Sequence, residues 1–379
     1  MRRPPTRVWV WTAATLVVAV VAVLLWRTSS VVATSSTTAT PAAATSTTQL
    51  PAAALSPRWT AATTTDASGA LLQRGRVLTT DATGLTLRDA VTGAPAWHYR
   101  RSDAHLCGAT AVSDLVVAVF RTTGRCDEAV ALQVGTGVRQ WTRNVSYLAD
   151  ARLTSTAGLV LASTAGGVTT LDPTGDNTRW RHAADPGCRL VDAAAGSSGV
   201  VVLQRCPGST DVQVQLLDAG AGTVSWTVPL AVGEGTPRLV GVDGLVDVLV
   251  GGTVHPLAPA DGAQLPVLAL PAPAGADEPL LQTAADDVVL LWARGTTYAL
   301  DATTGVPRWQ QPTAGLPAAD AATGTTGELT DGAFVRRSIA DGAELSRSTV
   351  TGAVPAGGRT LQAGATVLSA TGDRVLALR

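Results

Sequence analysis

Residues 298–309 read YALDATTGVPRW: an apolar run closed by an aspartate, with a glycine four places later and a tryptophan four places beyond that. The offsets of Asp301, Gly305 and Trp309 recur in LRDAVTGAPAW, with Asp89, Gly93 and Trp97, and in LLDAGAGTVSW, with Asp218, Gly222 and Trp226. Looser copies follow the same plan. LQVGTGVRQW keeps Gly137 and Trp141, LDPTGDNTRW keeps Asp172 and Trp180 with Gly175 one place early, and the turns at Gly262 and Gly342 have lost the tryptophan. Successive glycines are 44, 38, 47, 40, 43 and 37 residues apart. A period of this size belongs to propeller blades or to helical solenoids.

Strand chemistry decides between the two. Runs such as DLVVAVF (114–120), GVVVLQ (199–204), VQVQLL (212–217) and DVVLLWA (287–293) are short, β-branched and bounded by Gly, Asp and Ser. No helical stripe interrupts them, so the expected fold is all-β, a propeller of four-stranded blades. In the motif, Asp can accept hydrogen bonds from the turn backbone, Gly can take a positive φ, and Trp opens the next strand. One tryptophan per blade is placed to fill the seam with the neighbouring blade.

These residues resemble the pyrroloquinoline-quinone-type (PQQ-type) repeat propellers, whose blade signature runs Leu-Asp-x-x-Thr-Gly-x-x-x-Trp. Leu300 to Trp309 carries it fully, and the resemblance extends over residues 55–379.

The chain ends on RVLALR, and Val375 to Arg379 match a third strand that lacks its turn and tryptophan. Arg58 and Trp59 mirror Arg308 and Trp309, so the strand around Trp59 is expected to pair with the last strand and close the ring. Closure would remove two exposed sheet edges. The 320 residues after Trp59 hold eight units of the observed period, with tryptophan-equivalent positions also at 266 and 346. Eight blades are therefore expected, seven being the alternative.

Ahead of the propeller, residues 8–26 form 19 uncharged, mostly apolar positions, long enough to cross a bilayer. Arg2, Arg3 and Arg7 precede this run and Arg27 follows it, which places residues 1–7 in the cytoplasm and the body outside. A cleaved signal peptide is the competing reading. Residues 27–54 are rich in Ser, Thr, Ala and Pro and read as a disordered linker.

The four cysteines fall in pairs within single repeat units, Cys107 with Cys126 and Cys188 with Cys206. Each pair brackets a strand hairpin, so two disulfides are expected, in keeping with an oxidising exterior. A zinc site is disfavoured, because no pair has the close spacing of a zinc knuckle.

The net charge of −1 and the absence of any basic run exclude nucleic acid as a partner. His98 and His182 directly follow blade tryptophans and read as edge residues, no serine sits in a nucleophile elbow, and GEGTPR (233–238) lacks the last glycine of a dinucleotide loop. The acid pairs Asp127 with Glu128, Asp277 with Glu278 and Asp286 with Asp287 read as solvated loop residues. The PQQ resemblance raises one enzymatic alternative, a PQQ-dependent dehydrogenase; such enzymes are longer and carry neighbouring cysteines under the quinone, which this chain does not. The expectation is a noncatalytic, membrane-anchored module without cofactor or metal that binds a protein, peptide or glycan. Its candidate recognition loops carry Arg121, Arg125, Asp127 and Glu128, and Arg181 and Arg189.

Overall fold

The structure is a computed structural model that describes residues 6–27, 29–41, 49–64, 72–156, 158–175, 177–233, 235–273 and 278–379. Arg2, Arg3, Glu234, Asp277 and the 42–48 part of the linker lie outside the described residues.

Eight sheets follow one another among the described residues, each with four or five strands, so the eight-bladed expectation holds over seven. Blade 2 is representative: His105–Val112, Leu115–Arg121, Cys126–Gln133 and Arg139–Tyr147 pair in chain order, all antiparallel. First strands of successive blades contact one another, for example His105–Val112 with Arg152–Ser155 and Arg189–Gly196 with Arg238–Gly241, and so they ring the axis.

Burial grades outward, and the sequence shows why. Second strands are walled on both faces by neighbouring blades, so Val288–Ala293 is buried at every position and is continuously apolar. Fourth strands lie on the perimeter and alternate, as in Asn177–Ala183, where exposed residues flank half-buried ones. Only positions that face a seam need to be apolar there.

The ring closes through the chain ends. Pro57–Ala62 pairs antiparallel with Arg374–Leu378, placing Trp59 opposite Ala377, and so supplies the fourth strand of blade 8. Ser56 and Arg379 exchange two backbone hydrogen bonds, of 3.1 and 3.0 Å, at the same junction.

The apolar N-terminal segment is a helix, Thr6–Arg27, long and apolar enough to cross a membrane. The segment after it differs from a free tether. Thr34–Ser36 adds to blade 1 as a fifth strand, antiparallel to Pro95–Arg101 with Thr34 opposite Arg101 and Ser36 opposite Tyr99. The Thr37 N–H then donates to the His98 carbonyl at 3.0 Å and the Ala39 N–H to Thr136 at 2.9 Å. His98 holds the strand from the other side, its ring nitrogens bonding the Ser35 and Thr37 hydroxyls at 3.0 and 3.1 Å. Low hydrophobicity did not prevent order here, because edge pairing is made by backbone groups that need no apolar pattern. Ala54–Leu55 likewise lies beside blade 7, parallel to its last strand.

Candidate functional site

The repeated motif is the mechanical unit that positions everything else. Asp301 Oδ1 accepts the N–H groups of Thr303 and Thr304 at 3.0 and 2.8 Å, and Asp89, Asp172 and Asp218 cap their turns in the same way. The glycine four places after Asp sits beneath the indole of the preceding blade. A Cβ at Gly93 would meet Trp59 at 2.5 Å, one at Gly137 would meet Trp97 at 2.7 Å, and one at Gly222 would meet Trp180 at 2.4 Å. The indole N–H then donates to the same turn: Trp97 to Val134 O at 2.8 Å, Trp141 to Pro173 O at 2.8 Å, Trp180 to Ala219 O at 3.0 Å, Trp226 to Pro259 O at 2.9 Å and Trp309 to Ile339 O at 2.8 Å. At these five seams one tryptophan is locked onto the next blade's turn, while Trp59 covers Gly93 with its indole nitrogen buried and unpartnered among the described residues.

Three blades depart from the rule. In blade 5 position 266 is a proline, and Leu265 packs against Gly305 instead, 3.0 Å from where its Cβ would be. In blade 7 Ser346 takes the tryptophan place opposite Arg336. Gly175 of blade 3 has no positive φ and meets no indole, and the position four after Asp172 lies outside the described residues.

The cysteines are joined as Cys107–Cys126 and Cys188–Cys206, with Cα atoms 6.1 and 4.1 Å apart. Since strands alternate in direction, the loops joining second to third strands and those joining blade to blade share one face. The 122–125 and 184–188 loops thus lie on the same, disulfide-stapled face, opposite the Asp-Gly turns. Replacing both Cys107 and Cys126 by alanine should lower stability by about 3 kcal/mol, the loop-closure value for a loop of this length. A denaturant titration checks it, and a midpoint unchanged from the parent would contradict it.

Four of the six candidate recognition residues stay exposed: Arg121, Arg125, Arg181 and Arg189. The two acids are used internally, which corrects their assignment. Asp127 is buried and accepts hydrogen bonds from the Thr122 N–H and from the Thr122 and Thr123 hydroxyls. Glu128 accepts a 2.5 Å bond from Arg101, which is 2% exposed and also forks onto Asp103. One acid of each other pair is engaged too. Asp287 binds Arg308, and Glu278 binds Arg294 through both oxygens.

A cavity of about 1240 Å³ lies on the axis, walled by the first strands of blades 2 to 6 and 8. Its acids are fixed across seams. Asp192 faces Arg152 at 3.5 Å and accepts the Leu239 N–H of blade 5 at 2.9 Å, while burial raises its pKa against those contacts. Arg359 of blade 8 donates to the Gln282 carbonyl at 3.0 Å, and Gln282 Nε2 donates to Asp247 Oδ2 at 2.8 Å. This lining can hold a polar ligand through arginine donors, its carboxylates being already engaged.

Asp247 was not singled out from sequence. It is fully buried, its Oδ1 has no partner among the described residues, and burial pushes its pKa up to about 7. A raised folded-state pKa means the native chain keeps a proton that the unfolded chain releases from about pH 4 upward. Stability from this group is therefore present below pH 4 and is lost as pH rises through 7. Asp301 works the other way and only at lower pH, since Arg308 and the Thr304 N–H hold it well below the usual range. Asp247→Asn should reduce the fall in melting temperature between pH 5 and pH 8, roughly the window of the raised group. Equal slopes for variant and parent would refute the assignment.

The comparisons agree with this architecture. The family described as Outer membrane protein assembly factor BamB matches residues 210–337, from the third strand of blade 4 to the third strand of blade 7. BamB from Moraxella catarrhalis superposes with a TM-score of 0.51 at 17% identity, over 86% of this chain and 99% of that one. The chain is an eight-bladed β-propeller whose residues 210–337 match that family. A computationally designed protein, Ika8, superposes on this propeller with a TM-score of 0.55 at 14% identity, over 86% of this chain and 99% of that one. No curated protein matches the sequence. The donor set of the propeller does not fit a quinone with calcium: all four cysteines are used in rim disulfides, and the axial acids Glu278 and Asp192 are taken by Arg294 and by backbone N–H groups.

Proposed function

We propose that this propeller is a membrane-anchored, extracytoplasmic binding or scaffolding module for a protein, peptide or glycan, and not an enzyme. The observation that carries the reading is the match of residues 210–337 to a family described as an assembly factor. Two further features support it. The disulfides hold one face of the ring rigid, and preorganised loops lose little entropy on binding. The helix Thr6–Arg27 provides the anchor, with the body on the oxidising side.

A photoreactive residue at Arg189 on the stapled face, at Thr303 on the turn face or at Ala356 at the cavity mouth tests the reading in intact membranes. A discrete adduct from one of these positions and none from the others is the expected result. Uniform absence of adducts, together with alcohol oxidation by the purified chain supplied with quinone and calcium, would favour the PQQ-dependent dehydrogenase instead.

A further inference from the structure

The anchor leaves the propeller at a defined corner. The helix ends at Arg27 and the edge strand starts at Thr34, with Ser30–Ala33 wound as one helical turn between them. The Ala33 carbonyl accepts the Ser102 N–H at 2.9 Å and the Ser102 hydroxyl at 3.2 Å, at the end of the outer strand of blade 1. Seven residues reach at most about 25 Å even when fully extended. This corner therefore cannot move far from a bilayer that the helix crosses.

Beside it stands a cluster of positive charge. The Arg101 to Glu128 bond joins the corner to blade 2. On blade 2, Arg125 Nη2 donates to Ser146 O at 2.7 Å and Arg121 Nη2 to Ala149 O at 3.3 Å. Arg181 of blade 3 comes close enough for its charge to act on the Tyr147 hydroxyl, as Arg143 does. Three exposed arginines thus surround the 146–149 turn, and at its centre Leu148 is 44% exposed. The nearby acids Asp127 and Glu128 point to internal partners, which leaves Asp150 as the exposed acid of this stretch.

We propose that this arginine-ringed turn is a membrane-contact patch, binding the phosphates of anionic lipid headgroups while Leu148 enters the interface. Arginine suits phosphate through its planar fork, and an apolar side chain amid cations is the composition of an interfacial segment. The inference rests on the anchored reading above and adds an orientation to it. The disulfide-stapled face is turned toward the lipid at blades 2 and 3, and the Asp-Gly turn face is turned away.

The test uses the full chain in vesicles of neutral lipid, with or without anionic lipid, and no other protein. L148C and T303C each offer a single free thiol for a fluorophore, because the native cysteines are paired. Quenching by headgroup-labelled lipid should be roughly twofold or more stronger for L148C than for T303C, should increase with anionic lipid and should weaken at high salt. The triple variant R121A/R125A/R181A in the L148C background should lose the dependence on anionic lipid. Equal quenching at the two positions, no response to anionic lipid, or failure of the chain to float with vesicles would each overturn the proposal. A missing protein adduct in intact membranes would leave this result untouched, so the two readings fail separately.

Discussion

Trp97→Ala is expected to destabilise the propeller by about 3–5 kcal/mol, the usual cost of truncating a buried large aromatic. Trp97 is 1% exposed, its ring covers Gly137, and its N–H satisfies the Val134 carbonyl across the seam between blades 1 and 2. The truncation opens a void at that seam and leaves a buried acceptor unpaired, two costs that add. A solvent-facing control such as Val138→Ala, 44% exposed in the parent, should change stability by no more than about 0.5 kcal/mol. Chemical denaturation of the detergent-solubilised chain reads both. Similar midpoints for the two variants would mean that the indole is not what joins the blades.

Gly222→Ala should cost about 2–5 kcal/mol, although it adds only one methyl group. Gly222 holds φ at +70°, and its new Cβ would lie 2.4 Å from the Trp180 ring. The left-handed backbone accounts for about 1–2 kcal/mol and overpacking for about 1–3 kcal/mol. Gly124 separates the two terms, because its φ is +86° while nothing lies within 4 Å of its would-be Cβ. Gly124→Ala should therefore show the backbone cost alone. If the two alanine variants prove equally stable, the glycine is required by the turn and not by the tryptophan above it.

The parts of the fold legible in the sequence are those written by side chains at fixed spacing. Asp301, Gly305 and Trp309 each have a local task, and three tasks at constant offsets make a period visible even at low identity. The cysteine pairing was legible for the same reason, since each pair falls within one period and flanks a hairpin. What escaped was written by the backbone or by contacts between blades. Thr34–Ser36 carries no strand pattern, and its order comes from ladder bonds and the hydroxyl contacts of His98. Leu265 substitutes for a tryptophan one place out of register, which spacing alone would assign to Pro266. Asp127 and Glu128 look like solvated loop acids until Arg101 and the Thr122 turn are placed beside them. Leu148 gains meaning only from Arg181, which lies on the next blade.

The central claim is that the two chain ends share one sheet and thereby close a circle of eight blades. Hydrogen exchange on the intact chain tests it most directly, by comparing 57–62 with 374–378, the segments paired through Trp59 and Ala377. Paired strands should be protected to a similar degree and should lose protection together as denaturant is raised, along with the Trp97 seam. Rapid, unprotected exchange over 57–62 while 374–378 stays slow would show that the ends are not joined, and the closed ring would have to be given up.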